Sequence, residues 1–183
     1  MQAMKDGQVR RAAVLRAQEE IKCRPVYLDT ETTGLDKADQ IVDICVVDDD
    51  GNVLVDSLVK PKGPIPLEVI RIHGITDEMV QDAPTWPAIW PQVEAALAGR
   101  RVAIYNAEFD VRLMKQSHRA CRLPWRQTDL NAFCIMQLYA QFHGEWDFPG
   151  QSLAEDEHAI LEHQVSDDLR HRLPARDEDQ KPK

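Results

Sequence analysis

Between residues 25 and 59 the apolar positions fall into short runs of strand length, and beyond residue 84 they alternate between helical spacing and further short runs. Pro25-Val26-Tyr27-Leu28-Asp29 is the first run, ending at an acid ahead of the turn-forming pair Thr33-Gly34. Ile41-Val42-Asp43-Ile44-Cys45-Val46-Val47 is the second, and Asp49-Asp50-Gly51 separates it from Val53-Leu54-Val55-Asp56-Ser57-Leu58-Val59. An Asp-Gly turn between two β-branched runs predicts a hairpin. Pro61, Pro64 and Pro66 impose an irregular crossing that leads into Glu68-Val69-Ile70-Arg71-Ile72-His73-Gly74-Ile75-Thr76. Trp86, Ile89, Trp90, Val93, Ala96 and Leu97 recur at helical spacing, with Pro84-Thr85 to start the helix and Gly99 to end it. The tryptophans read as core or helix-packing residues.

Val102-Ala103-Ile104-Tyr105 is a third strand candidate, after which Asn106 can cap a helix running to about residue 119. The stretch 131 to 141 reads as another helix with Phe133, Met136, Leu138 and Tyr139 as its apolar positions. Ahead of the first strand, residues 5 to 21 read as a polar helix with a modest stripe of Val14, Leu15 and Ile21, or equally as a loosely docked arm; no function attaches to it. Strands first and strand–helix alternation afterwards predict an α/β domain with a mixed sheet. The expected division is an N-terminal helical arm over 1–22, one domain over 23–173 and a disordered polar tail over 174–183, with no internal repeat.

Composition narrows the function classes. A chain of 183 residues has the length of one domain, and its 43% hydrophobic and 29% charged residues are ordinary for a globular protein. No apolar run approaches the roughly 18 residues a membrane span needs, so no membrane role is expected. Residues 1 to 20 mix Lys5, Arg10, Arg11 and Arg16 with acids and lack the apolar stretch of a secretory signal, which points to the cytoplasm. Cys23, Cys45, Cys121 and Cys134 lie far apart with no C-x-x-C pair, which argues against a zinc site or a disulfide framework; Cys45 and Cys134 read as small core residues. A formal charge of −9 argues against coating nucleic acid by bulk electrostatics. It is compatible with a compact carboxylate site that divalent cations turn locally positive.

Asp29 and Glu31 flank a single residue, so on a strand both side chains project to one side. Paired carboxylates suit a hard cation such as Mg2+ or Mn2+, which keeps several waters and leaves room for a phosphate. Two ions about 4 Å apart need more acids than one strand pair supplies, and Asp110, just past another strand candidate, is the obvious third.

Tyr27-Leu28-Asp29-Thr30-Glu31-Thr32-Thr33-Gly34-Leu35, Ile72-His73-Gly74-Ile75-Thr76 and Asn106-Ala107-Glu108-Phe109-Asp110 arrive in that order. Together they resemble the DEDDh exonucleases, the superfamily of the proofreading epsilon subunit of bacterial replicative polymerase, ribonuclease T and oligoribonuclease, over about residues 24 to 145. The resemblance implies a ribonuclease H-like fold: a five-stranded mixed sheet with one antiparallel strand, flanked by helices, with acids gathered at the strand ends. It implies 3′–5′ hydrolysis of phosphodiester bonds in single-stranded DNA or RNA with two Mg2+ or Mn2+ ions. Asp29 and Glu31 match the first motif's metal ligands and Asp110 the second motif's acid.

The family's last motif, His-x4-Asp, matches His163 and Asp168 in His163-Gln164-Val165-Ser166-Asp167-Asp168, with Asp167 as the alternative acid and His158 as a surface residue. A neutral imidazole suits the general base because its pKa near 6.5 lets it take a proton at neutral pH. Thr32 belongs to the first motif, and Glu68 and His73 match a Glu-x4-His segment that holds the terminal nucleotide. Leu35 and Phe109 would contact base and sugar; taken alone they read equally as core, and Glu68 as a solvated acid. The implied partners are a single-stranded 3′ end and, as open alternatives, a DNA polymerase or a second copy of the chain.

One region departs from the pattern. Residues 153 to 160 run almost directly into Leu161-Glu162-His163 with no Gly or Pro to make a loop, and Leu173-Pro174 breaks any helix that follows. The shortened segment leaves a second expectation beside an active hydrolase, a nucleic-acid-binding or polymerase-associated module with impaired turnover. A phosphatase acting on free nucleotides is a third, for which no specific phosphate clamp is visible.

Overall fold

The computed structural model of the chain describes residues 2–125 and 130–143. Within them the order is α1 (Gln2–Lys22), β1 (Val26–Thr32), β2 (Ile41–Val47), β3 (Val53–Leu58), α2 (Leu67–His73), α3 (Asp77–Val80), α4 (Trp86–Leu97), β4 (Arg101–Ile104), α5 (Ala107–Ala120), β5 (Asn131–Cys134) and α6 (Ile135–His143). The strands form one sheet in the order β3-β2-β1-β4-β5. β2 runs antiparallel to both β1 and β3, while β1, β4 and β5 are parallel. This is the mixed sheet with a single reversed strand that the sequence motifs imply.

The hairpin forms where the Asp-Gly pair predicts it. Gly51 takes a φ of +83°, and the Asp48 carboxylate accepts from the Asp50 and Asn52 amides at 2.9 and 2.8 Å. Residues 67–73, which the apolar pattern leaves unassigned, form a short helix that follows Pro66 and stops at Gly74, whose φ of +75° supplies the left-handed cap. The predicted helix over 131–141 is corrected at its start. Ala132, Phe133 and Cys134 pair in register with Val102, Ala103 and Ile104, and the helix begins only at Ile135. A four-residue strand carries too little periodicity to separate strand from helix, and the open edge of β4 decides the outcome.

Even-numbered residues of β1 face one helical layer, where Val26, Leu28, Ile44, Val46, Val102 and Ile104 meet Trp86, Ile89 and Val93 of α4 and Leu113 and Met114 of α5. On the opposite face Tyr27, Ala103 and Phe133 meet Ala17 of α1 and Ile135 and Leu138 of α6. A second cluster of Val42, Ile65, Ile75 and Val80 seats the α2–α3 segment. Cys45 and Cys134 are both buried, as expected of small core residues. On α5, buried His118 is ringed by Trp86, Trp90 and Trp125, and Trp86 Nε1 donates to His118 Nδ1 at 3.0 Å. Among the described residues no helix is long and apolar enough to cross a membrane.

Candidate active site

β1 does not end at Asp29 but continues to Thr32. Strand alternation therefore sets Asp29 and Glu31 on one face, half-buried, and Thr30 and Thr32 on the other, buried. The neighbouring strands extend the acidic face, because Glu31 lies directly opposite Asp43 and Asp29 opposite Cys45, which in turn lies opposite Asp56. Asp43 is only 1% exposed, an acid inside an otherwise apolar strand. Its interruption of the run Ile41-Val42-Asp43-Ile44 is the sequence signal that marks it, and the motif reading passes over it.

Asp110 arrives from a different segment. β4 runs parallel to β1 with Ile104 beside Leu28, so the two chains leave the sheet at the same end. Asn106 then caps α5 by accepting from the Phe109 amide, as its position predicts, and puts Asp110 in the first helical turn. There the 5%-exposed Asp110 carboxylate accepts a 2.7 Å hydrogen bond from the hydroxyl of Thr30, the residue between Asp29 and Glu31. An acid from a distant stretch of chain thus reaches the residue between Asp29 and Glu31, bonded on the face of β1 opposite to theirs.

The all-oxygen donors of this neighbourhood fit a hard divalent cation. Among the described residues no three His, Cys, Asp or Glu side chains converge closely enough to hold an ion by themselves. A cation at Asp29 and Glu31 would complete its shell with water, with substrate oxygens, or with residues outside the described ones, as Mg2+ commonly does.

The loop after β1 is tightly organised. The Asp39 carboxylate accepts from Thr33 Oγ1 at 2.7 Å and from the Asp36 amide at 2.6 Å, and the Gln40 amide donates to Thr33 Oγ1 at 3.1 Å. Gly34 sits at φ +151°, and a Cβ there would lie 2.7 Å from Asp39 Oδ2, so only glycine fits. Thr32 Oγ1 donates to the Gly34 carbonyl at 2.9 Å. α5 grips the same loop through Arg112, Gln116 and Ser117, which bond to Leu35 O, Asp36 O and the Ile41 amide. Arg112 and Gln116 carry no motif signal, because each acts on backbone atoms of a segment far away in sequence, and Asp39 acts only within its own loop.

The remaining expected residues have these places. Leu35 is 67% exposed at the loop tip, and Phe109 is half-buried at the start of α5. Glu68 is exposed on the first turn of α2. His73 has both ring nitrogens near backbone: Nδ1 accepts from the Ile75 amide at 3.0 Å, which leaves the proton on Nε2 to donate to Thr32 O at 3.2 Å. It ties the end of α2 to the end of β1. His163 and Asp168 lie outside the described residues, as do His158 and Asp167.

The RNase_T profile, described as an exonuclease family, matches residues 26–162. The chain belongs to the RNase_T exonuclease family. Its relatives include the uncharacterized exonuclease CP81 of Escherichia phage 186, 39% identical over 154 residues that make up 80% of this chain and 76% of the phage protein. The DNA polymerase III epsilon subunit of Pasteurella multocida (strain Pm70) is 30% identical over 123 residues, 62% of this chain and 47% of that subunit, so the RNase_T-family chain spans under half the length of this relative. Among solved structures, exonuclease X in complex with 5′-overhanging duplex DNA matches with a TM-score of 0.50 and 28% identity over 76% of this chain and 72% of that one. The nuclease domain of 3′hExo, a DEDDh family member bound to rAMP, shares the fold with a TM-score of 0.54 at 14% identity, over 80% of this chain and 91% of that one. The DEDDh resemblance and the ribonuclease H-like fold are both borne out.

Proposed function

We propose that this RNase_T-family chain is a metal-dependent 3′–5′ exonuclease that hydrolyses the terminal phosphodiester bond of single-stranded DNA or RNA and releases nucleoside monophosphates. The observation that carries the reading is the buried hydrogen bond from Thr30 to Asp110, which brings the second motif's acid to the residue between Asp29 and Glu31. In this reading Asp29, Glu31, Asp110 and Asp168 would hold two Mg2+ or Mn2+ ions. When bound, such ions stabilise charge on the phosphoryl and leaving oxygens and acidify water.

The chain's own residues supply the rest. Leu35 and Phe109 offer apolar surface to base and sugar, a contact that tolerates any base because each has an apolar face. Thr32 and His73 fix the end of β1 where the nucleotide is received, and Glu68 stands exposed one α2 length from His73. His163 is assigned the proton from the attacking water, a task suited to an imidazole titrating near 6.5. The partner is a single-stranded 3′ end; a polymerase or a second copy of the chain is the further partner class to test, and the cytoplasm is the proposed location.

A time course with 3′- and 5′-labelled single strands, with and without Mg2+, tests the reading. Mononucleotides should appear from the 3′ label only, in Mg2+ only, and vanish in Asp29→Ala. Undiminished release by purified Asp29→Ala protein would refute the assignment. A second reading is favoured by one observation: the family match ends at residue 162, one position before His163, in the segment that lacks a loop-forming Gly or Pro. It describes a module that binds single-stranded ends with little turnover, and it predicts end binding in the same assay without release.

A further inference from the structure

Arg112 lies two residues beyond Asp110 and belongs to none of the motifs, yet it touches both apolar residues assigned to the nucleotide. Its Nη1 donates to the Leu35 carbonyl at 3.1 Å and to Gln116 Oε1 at 3.1 Å. Its guanidinium carbon stands 5.1 Å from the centre of the Phe109 ring. Gln116, 8% exposed, relays the same grip by donating to Asp36 O at 2.7 Å and Asp39 O at 3.3 Å.

Leu35 follows Glu31 by four residues and Phe109 immediately precedes Asp110, so the two apolar side chains are attached to the two acid-bearing segments. A leucine at a loop tip, 67% exposed, gains nothing from burial in the free protein. Its carbonyl is nevertheless held by a guanidinium, and the backbone of the next residue, Asp36, by a buried glutamine and the Asp39 carboxylate. Holding an exposed apolar group rigid reduces the ordering cost when a ligand covers it.

We propose that Arg112 is a positioning residue that fixes the separation of Leu35 and Phe109, making them one jaw for the base of the terminal nucleotide. The guanidinium does this because one nitrogen bonds a carbonyl while its central carbon stands over a ring, a pair of contacts that an ammonium on a flexible stem cannot reproduce together. The jaw rests on the exonuclease reading and deepens it: recognition is of an unpaired terminal base by stacking, without preference for its identity.

Steady-state kinetics on a single-stranded oligonucleotide with Arg112→Ala, Arg112→Lys, Leu35→Ala and the Arg112→Ala/Leu35→Ala double variant tests it, with melting temperatures to confirm folding. Arg112→Ala and Leu35→Ala should each raise KM about tenfold with kcat little changed, the size of one lost base contact. Arg112→Lys should fail to restore KM, and the double variant should match Leu35→Ala, since residues acting through one contact are not additive. The salt dependence of KM should stay that of wild type, because no phosphate contact is lost. Rescue by Arg112→Lys, additive effects, or a salt slope reduced by about one would each overturn the jaw and make Arg112 a phosphate contact instead. Wild-type protein that releases no nucleotide would instead overturn the exonuclease reading, and the jaw with it.

Discussion

Thr30 sits between two carboxylates and donates its hydroxyl proton to a third, so one small side chain sets where Asp110 stands relative to Asp29 and Glu31. Groups that orient metal-binding acids typically matter about 10- to 100-fold in activity or metal affinity. Thr30→Val keeps the β-branched shape and removes only the donor. It should slow nucleotide release by about that factor and raise the Mn2+ concentration for half-maximal rate, while Thr30→Ser keeps both near wild type. Equal rates in Val and Ser variants would show that the hydrogen bond is incidental. At this scale the sequence was legible where chemistry lies in side-chain type and spacing, as with Asp29-x-Glu31 and the Asn106 cap. Arg112 and Gln116 were not legible, because they hold backbone atoms up to 80 residues away, as in the Gln116 bond to Asp36 O.

At the scale of elements, the alternation of β1 settles the orientation of the acids better than a strand end could. The run read as stopping at Asp29 continues because Thr30 and Thr32 are β-branched and pair with Ile44 and Ile41. β5 was misread for the opposite reason, since its four residues carry too little periodicity for a strand to be distinguished from the helix that follows. The first helix, which the sequence left between docked and loose, is tied to the sheet by Glu20. That carboxylate accepts from Arg101 Nη2 at 2.6 Å, and the hydrogen bond and positive charge of Arg101 hold its pKa below the ordinary value. The folded chain therefore binds this proton less readily than the unfolded chain. The stabilisation is complete above the unfolded value near 4.5 and is lost as pH falls through the folded one. Glu20→Gln should cost about 2 kcal/mol at neutral pH, as for a hydrogen bond to a charged group, with a smaller deficit at pH 3. Denaturant midpoints at the two pH values check it.

For the whole molecule, one sheet separates two tasks. Its α4–α5 face holds the main core, and the other face carries Asp29, Glu31, Asp43 and Asp56 in cross-strand register. The core has its own acid sensitivity. Burial among Trp86, Trp90 and Trp125 lowers the pKa of His118 from its ordinary 6.5. Protonation is thus disfavoured in the folded state, and stability should begin to fall as pH drops below 6.5, before the carboxylates respond. His118→Phe should flatten the melting temperature between pH 7 and pH 5 (about the range in which histidine titrates). A slope equal to that of wild type would contradict this.

The central proposal is that Asp29 and Glu31 on β1 seat a cation and that Asp110, delivered beside Thr30 by the start of α5, adds to its shell. Anomalous scattering from crystals of the full chain grown with Mn2+ tests it directly. The account predicts a Mn2+ ion bound by Asp29 and Glu31 on the acidic face of β1, with Asp110 reaching it directly or through a water while still bonded to Thr30. Ordered Mn2+ elsewhere on the protein, with the Asp29 and Glu31 carboxylates bound to no ion, would contradict it.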